Sequence, residues 1–186
     1  MTSMPEPHGS DPPSPFIEEW IGKLTTQIAP PRRALDVAMG RGRHAFPLAH
    51  AGFETFGVDN KLDVILETVR RARHQGLVLR AWCADLTKPA LHSRHFNLIV
   101  VTRYLQRDLC PILIDALVPG GFLLYETFTE LQQGRPRGPQ SPHHLLRLGE
   151  LRLLFADLEE IFYDELTGGD DDALARLAAR KRSSPS

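Results

Sequence analysis

Short apolar runs alternate with amphipathic stretches of helical period over most of the chain. The apolar runs predict five strands, at 33–39, 53–59, 77–85, 96–102 and 122–128. The stretches around them predict helices at 16–28, 42–52, 62–76 and 107–118. Strands that alternate with helices through short connections form a parallel sheet covered by helices on both faces. The pattern therefore predicts a doubly wound α/β domain.

The C-terminal part has a less regular pattern. A helix is predicted at 148–158 and a strand at 159–166. The segment 173–182 has the Ala and Leu content of a helix, but its alternation also fits an edge strand, which we favour. Residues 1–15 and 183–186 are rich in Pro, Ser or charge and are expected to be disordered tails. A single domain is thus expected over residues 16–182.

Composition and charge narrow the possible functions. The 186 residues are 42% hydrophobic, which suits one sizeable core, and a net charge of -1 disfavours bulk binding of nucleic acid. Cys83 and Cys110 form no C-x-x-C pair, so we expect two reduced core cysteines, no disulfide framework and no metal site. With no signal-peptide core and no apolar run long enough to span a bilayer, a cytoplasmic protein is expected.

Three acidic residues each end one of the first three predicted strands. They are Asp36, Asp59 and Asp85. In an open α/β sheet, ligands bind at the carboxyl ends of the strands, so these carboxylates are candidate ligand contacts. Gly40 and Gly42 follow the first strand in a G-x-G turn, and Asp59 lies 19 residues beyond Gly40, where it could accept hydrogen bonds from a ribose. That spacing suits NAD and S-adenosylmethionine equally.

Asp36 discriminates between these two cofactors. A carboxylate beside the glycine turn would repel a pyrophosphate, whereas it would attract the ammonium and sulfonium of adenosylmethionine. The chain is also short for a nicotinamide enzyme with a substrate domain. The predicted cofactor is S-adenosyl-L-methionine.

The segments "LDVAMGRGRHAFPLA", "GVD", "ADL", "FNLIVVTRYL" and "LVPGGFLLYETFT" resemble those of class I S-adenosylmethionine-dependent methyltransferases, in particular small bacterial members similar to the tellurite-resistance methyltransferases. The resemblance implies seven strands with an antiparallel C-terminal hairpin, which supports a strand at 173–182. It also implies a glycine loop at Gly40 and Gly42, a ribose contact at Asp59, and adenine contacts at Asp85 and Leu86.

Two positions depart from the family pattern. Ala38 stands where the family often has glycine, and Met39 where it often has cysteine. The predicted cofactor-binding set is Asp36, Ala38, Gly40, Gly42, Asp59, Asn60, Asp85, Leu86 and Thr102.

Residues after the fourth and fifth strands are expected to border the methyl acceptor. Arg103, Tyr104 and Thr127 are the predicted catalytic residues, and the chain lacks the Asn/Asp-Pro-Pro-Tyr motif of amino-methylating enzymes. His44 could contact a ligand or serve only as a helix-terminal residue.

The segment 131–150 is either an active-site lid or a solvated loop. Its arginines could gather an anionic acceptor together with two others near the fourth strand. The five are Arg103, Arg107, Arg135, Arg137 and Arg147.

The sequence favours methyl transfer to a small molecule, with an anionic or soft nucleophile as the finer expectation. An RNA methyltransferase and a non-catalytic adenosylmethionine-binding module are the alternatives. Binding to nucleic acid or a membrane is not expected, and the chain is expected to be a monomer or homodimer.

Overall fold

A single seven-stranded sheet organises the chain. The computed structural model describes residues 12–88, 91–166 and 172–183. The strand order is β3-β2-β1-β4-β5-β7-β6, and the first five strands are parallel. The strands are β1 (Arg33–Val37), β2 (Glu54–Asp59), β3 (Leu79–Cys83), β4 (Phe96–Thr102), β5 (Leu117–Phe128), β6 (Glu159–Leu166) and β7 (Leu174–Arg180). The predicted Rossmann-like α/β fold is confirmed.

Helices cover both faces of the sheet. They are α1 (Pro15–Gln27), α2 (Ala45–His50), α3 (Leu62–His74), α4 (Cys110–Ala116) and α5 (Glu150–Leu154). The apolar side of α1 packs on β1, β4 and β5, α3 packs on β2 and β3, and α4 and α5 pack on the opposite face. Both α2 and α5 are shorter than predicted. The glycine turn occupies the residues before Ala45, so α2 cannot begin at residue 42.

The strand β5 begins earlier than the sequence pattern predicts. Helix α4 ends at Ala116, as expected for a helix before a Pro-Gly-Gly stop, but the strand already starts at Leu117. The pairing with β4 shifts between Phe96↔Leu117 and Leu98↔Phe122, so the Pro-Gly-Gly segment forms an irregularity inside the strand.

The last two strands form the antiparallel hairpin that the family resemblance implied. Strand β7 lies between β5 and β6 and is antiparallel to both. Its Ala and Leu residues are buried against both neighbours, and burial here overrides their helix propensity. The predicted tails lie outside the described residues, apart from residues 12–15 and 183.

The structure bears on two further expectations from the sequence: that both cysteines are core residues, and that no segment spans a membrane. Cys110 is buried and its thiol pKa is raised to about 12, chiefly by burial. The prediction that Cys83 is a core residue is wrong, because it is exposed at the end of β3 near one edge of the sheet. In the described part of the chain, no helix has the length and apolar character needed to cross a membrane.

The strand order reverses between β1 and β4. In sheets of this type, the crevice outside the carboxyl ends of the strands at such a reversal is the usual ligand site. Val37 pairs with Val101 there, so the segments after β1 and β4 leave the sheet side by side.

Candidate functional site

A cavity of about 430 Å³ opens at the carboxyl ends of β1, β2 and β3. Six of the nine predicted cofactor-binding residues line it: Ala38, Gly40, Asp59, Asn60, Asp85 and Leu86. Tyr104, predicted as catalytic, lines it too. The topology thus brings residues from the ends of four strands, β1 to β4, into one concave site.

The glycine turn is held to Asp59. The Gly40 N–H donates to Asp59 Oδ2 at 2.8 Å, and the Lys61 N–H donates to Asp59 Oδ1 at 3.1 Å. A carboxylate oxygen can accept a second hydrogen bond, so both oxygens keep capacity for the two hydroxyls of a ribose. Ala38 adopts φ +54°, which explains why a glycine would suit this position.

Gly42 packs against α2 and α3 and does not line the cavity. A Cβ at Gly42 would lie 2.7 Å from a Thr68 methyl carbon and 2.9 Å from the Phe46 ring. At Gly40, by contrast, a Cβ would meet nothing within 4 Å. The two glycines therefore do different things: Gly42 allows α3 to approach, and Gly40 keeps the space beside the turn open.

Asp85 is ordered by a local turn. The backbone N–H and the hydroxyl of Thr87 both donate to Asp85 Oδ1, at 2.9 and 2.7 Å. These bonds, the hydroxyl one first, lower the pKa of the exposed Asp85 carboxyl. An ionised carboxylate beside Leu86 suits a polar and an apolar contact with an adenine nucleoside.

Asp36 is a buried carboxylate with an unpaired oxygen. It is 2% exposed, and its Oδ2 has no hydrogen-bond partner. Burial raises its pKa from 3.8 to about 7, against the opposing effects of the Ala45 N–H and of Arg43. Asp36 does not line the cavity, but an orphaned buried carboxylate beside the glycine turn fits a ligand that brings an ammonium group.

Thr102, the remaining member of the predicted set, belongs to a polar network that includes His44. The Ser14 N–H donates to His44 Nε2 at 3.1 Å, and His44 Nδ1 lies 3.1 Å from Thr102 Oγ1. His44 is 1% exposed, and its pKa is lowered to about 3, first by burial and then by Arg43 and Arg103. Neither a surface role nor a simple capping role describes this neutral histidine, which joins the start of α1 to the end of β4.

Glu126 joins the same region to β7. Its Oε2 accepts hydrogen bonds from Ser14 Oγ at 3.0 Å and from Arg176 Nε at 2.7 Å. Thr127 is 1% exposed and does not line the cavity, and Arg103 Nη2 lies 3.4 Å from Asp172 Oδ2. The catalytic assignments of Arg103, Tyr104 and Thr127 stay predictions.

The arginines near the predicted lid have local partners. Arg107 makes two hydrogen bonds to Glu150, at 2.7 and 2.9 Å, and Arg147 lies 3.8 Å from the same carboxylate. Arg135 Nε donates to the Leu131 carbonyl. Arg107 and Arg147 line a separate cavity of about 610 Å³ that also contains two glutamates, so its charges are mixed.

Contacts hold the loop that carries Arg135 and Arg137 in place at both of its ends. Thr129 and Leu146 form a β-bridge. Gln132, 1% exposed, bonds the Arg137 carbonyl with its amide nitrogen and accepts the Ala173 N–H with its amide oxygen. These contacts connect the loop to the start of β7, and the choice between an active-site lid and a solvated loop stays a prediction.

Four cavity residues were missed at the sequence level: Arg41, Lys61, Val64 and Thr87. Thr87 could have been found, because an Asp-x-Thr sequence after a strand favours a turn in which the threonine bonds the aspartate. Arg41, Lys61 and Val64 carry no comparable local signal.

Comparisons with known proteins bear on this site. A methyltransferase domain model matches residues 34–121, which contain the glycine turn and all three strand-end aspartates. Over these residues the chain matches the methyltransferase domain family. S-adenosyl-L-methionine is the cofactor of this domain family. The glycine turn and the aspartates described above fit this cofactor.

Curated relatives and solved structures that are similar to the chain also include methyltransferases. A protein-L-isoaspartate O-methyltransferase of Xanthomonas campestris pv. campestris is 29% identical over 117 residues, covering 63% of this chain and 49% of that protein. The chain thus spans about half the length of the curated relatives it matches.

Among solved structures, TehB from Haemophilus influenzae superposes with a TM-score of 0.71 at 18% identity, covering 88% of this chain and 62% of that chain. An S-adenosylmethionine-dependent methyltransferase from Mesorhizobium loti gives a TM-score of 0.68 at 16% identity, covering 88% and 98%. At these identities, the likeness establishes the fold, in line with the resemblance to the tellurite-resistance methyltransferases.

Proposed function

We propose that this protein transfers the methyl group of S-adenosylmethionine to a small-molecule acceptor that is anionic or a soft nucleophile. The observation that carries the proposal is the single cavity in which the glycine turn meets Asp59 and Asp85. Asp59 is preorganised by two backbone N–H groups, and Asp85 is held by Thr87.

The chain's own residues would hold the cofactor along the cavity. Asp59 would accept the ribose hydroxyls, Asp85 and Leu86 would contact the adenine, and Asp36 would pair with the ammonium. When bound, S-adenosylmethionine supplies an electrophilic methyl group on a sulfonium. The protein then positions an acceptor in line with the methyl group and excludes water. These two effects are most effective when the acceptor is already deprotonated.

The polar groups beside β4 and β5 favour an acceptor that arrives deprotonated. A general base needs an available lone pair and a suitable pKa. His44 has both ring nitrogens engaged and a pKa lowered to about 3, chiefly by burial. Glu126 Oε2 accepts from both Ser14 and Arg176. His44 and this oxygen of Glu126 are therefore not available to remove a proton, so a thiolate, a carboxylate or a chalcogen oxyanion suits the site better than an acceptor that must be deprotonated before it attacks, such as an alcohol or an ammonium group.

A carboxylate acceptor is also favoured by one comparison. Several relatives are named protein-L-isoaspartate O-methyltransferase, and by that name they methylate an oxygen atom. An oxygen of a carboxylate belongs to the class of anionic acceptors proposed here. Selenite and tellurite belong to the same class, and a role in tellurite resistance would follow from activity on the latter.

The proposal is tested by binding and by turnover. Calorimetry should show binding of adenosylhomocysteine and none of NAD. Release of adenosylhomocysteine should then be measured over thiols, selenite, tellurite, small carboxylates, an isoaspartyl peptide and RNA. Binding of NAD in place of adenosylhomocysteine would refute the proposal. Binding without turnover of any acceptor would favour a cofactor-binding module.

RNA methylation is the second candidate from the sequence, and the net charge of -1 gives it little support. Steep salt dependence of RNA binding would be its signature. As part of the same proposal, we expect a cytoplasmic monomer or homodimer that acts without a membrane or nucleic-acid partner.

A further inference from the structure

The two outer strands of the sheet differ in how well their edges are protected. Strand β6 carries four acidic residues, and its pairing with β7 shifts at an irregularity between Glu160 and Phe162. Charges and bulges of this kind keep a sheet edge from pairing with another strand. Strand β3 has no such irregularity, and its one charged residue, Arg80, is ion-paired with Glu54 at 2.9 Å. Among the described strands β3 pairs with β2 alone, so its outer side is open.

One hydrogen bond shows which backbone groups of β3 point away from the sheet. The Ala84 N–H, just beyond the strand, donates to the Asp59 carbonyl of β2 at 2.9 Å. Along a strand, the N–H and C=O groups of successive residues point alternately to its two sides. The even-numbered residues of β3 therefore bond toward β2. The odd-numbered residues direct their backbone groups outward: Leu79, Ala81 and Cys83.

These outward groups complement themselves about Ala81. When two copies of β3 lie antiparallel with Ala81 opposite Ala81 of the partner subunit, the two alanines exchange both N–H···O bonds. Leu79 then exchanges both bonds with the partner's Cys83. The same register sets Arg80 opposite the partner's Trp82 in the closer kind of pair, where a guanidinium can contact an indole ring. Each contact occurs twice, as a two-fold axis requires.

Helix α3 carries exposed apolar residues on the side that faces this edge. Val64 lines the cofactor cavity, and Arg71 lies over the Phe46 ring of α2, so this side of α3 faces the glycine turn and α2. Leu62 and Leu66 lie on the other side of the helix, at i, i+4 spacing, and each is more than half exposed. Two leucines thus stand uncovered beside the open strand.

The charges along α3 suit a second copy of the same surface. The first turn of α3 contains Asp63, and its last turn contains Arg71, Arg73 and His74. Helix α3 connects two parallel strands and runs antiparallel to both, so a two-fold axis at β3 sets two antiparallel copies of α3 side by side. The acidic first turn of each helix then lies near the basic last turn of the other, which is a favourable arrangement.

We propose that the β3 edge, meaning β3 together with Leu62 and Leu66, is the interface of a two-fold dimer in which two sheets join into one. Cys83, exposed in the single chain, then lies against the partner's Leu79. The exposed leucines of the two α3 helices cover each other. No residue of the β3 edge lines the cofactor cavity, so the dimer does not depend on the proposed function.

Sedimentation equilibrium of the full chain tests the interface. Ala81→Pro removes an outward N–H that the pairing with β2 does not use, and proline is tolerated at such edge positions. Leu66→Glu places a charge between the two α3 helices. Leu153→Glu is the matched control, because Leu153 is exposed on α5, which packs on β7.

The wild-type protein and Leu153→Glu should have twice the chain mass of 20.9 kDa at about 100 μM chain. Ala81→Pro and Leu66→Glu should each raise the dissociation constant of the dimer by about tenfold or more. A wild-type protein that is monomeric at this concentration would overturn the inference. A dimer that either folded variant leaves intact would overturn it too. If Ala81→Pro does not fold, Leu66→Glu, a surface change, carries the comparison.

Disulfide cross-linking tests the register. In a Cys83→Ser background, Arg80→Cys chains mixed with Trp82→Cys chains should form a linked dimer under mild oxidation, because the proposed register brings the two Cα atoms to about 4.5 Å. Each variant alone is the control, since its cysteine then has no cysteine opposite. A mixture that links no better than either variant alone would refute the antiparallel pairing about Ala81.

Discussion

Asp36→Asn should make the protein more stable above neutral pH and weaken its binding of the cofactor. Asp36 is 2% exposed, its Oδ2 has no hydrogen-bond partner, and its pKa is raised to about 7 by burial. Above that pH the folded protein holds a buried negative charge. The asparagine amide has nearly the same shape and carries no charge, so it removes this penalty.

The magnitude follows from the displaced pKa. One pKa unit corresponds to about 1.4 kcal/mol. Raising the pKa of Asp36 from 3.8 to about 7 therefore costs at most about 4 kcal/mol at pH 8. Weaker bonds from the His44 and Ala45 N–H groups to the amide offset part of this, so we expect a net gain of about 2 to 4 kcal/mol.

The sign of the pH dependence is also determined. Between pH 3.8 and about 7 the folded state binds more protons at Asp36 than the unfolded state does. Stability from this group therefore falls as the pH rises through that range, and the advantage of Asp36→Asn should be about 2 to 3 kcal/mol smaller at pH 5 than at pH 8. His44, with its pKa lowered to about 3, destabilises both proteins on acidification, so it cancels in the difference.

Chemical denaturation of the wild-type protein, Asp36→Asn and an exposed control, Asp108→Asn, at pH 5 and pH 8 measures this difference. The same three proteins are titrated with adenosylhomocysteine, where Asp36→Asn should bind about tenfold more weakly at pH 8 because an ion pair with the ammonium is lost. A stability difference that is equal at both pH values would refute the burial argument. A stabilised variant with wild-type affinity would refute the ammonium contact.

Other substitutions separate folding from binding at the same site. Gly42→Ala should lose about 2 kcal/mol or more of stability, because its Cβ would meet Thr68 at 2.7 Å; an unchanged melting temperature would contradict this. Gly40→Ala should lose about 1 kcal/mol, from its positive φ alone, yet weaken adenosylhomocysteine binding by filling the cavity, so equal affinity would count against the site. Asp59→Ala should weaken cofactor binding by about 2 to 4 kcal/mol and also loosen the glycine turn, whereas an unchanged dissociation constant would exclude the ribose contact. Arg107→Ala should lose about 2 kcal/mol of stability by stranding the buried Glu150 without changing adenosylhomocysteine affinity, and a wild-type denaturation midpoint would show that the pair contributes nothing.

The local features of the cofactor cavity could be predicted from the sequence. Asp59 and Asp85 each follow an apolar run at a strand end, and parallel strands place their carboxyl ends at one edge of the sheet. Gly40 and Gly42 predict a turn because glycine adopts positive φ at no steric cost. Both residues do have positive φ in the structure. These inferences use only neighbours in sequence and the period of the apolar positions.

The acceptor side could not be predicted in the same way. The arginines of the loop after β5 suggested an anion site from composition alone. Arg107, which follows β4 and was grouped with them, is instead bonded to Glu150, which lies 43 positions away in sequence, and no periodicity predicts such a pairing. Cys83 was expected in the core because neither cysteine belongs to a C-x-x-C pair, but β3 is an edge strand, and only the sheet order reveals that.

The sequence by itself determined the α/β fold, the strand-end carboxylates and the glycine turn, because each depends on spacing within a single element or its adjoining turn. The tertiary structure decided what the polar residues do once they are buried. Ser14 and Glu126 are 112 positions apart, yet they share a hydrogen bond, and the other bond of Ser14 is to His44, whose second ring nitrogen lies beside Thr102. A buried polar group must find a partner wherever the topology supplies one, so its chemistry is a property of the folded chain.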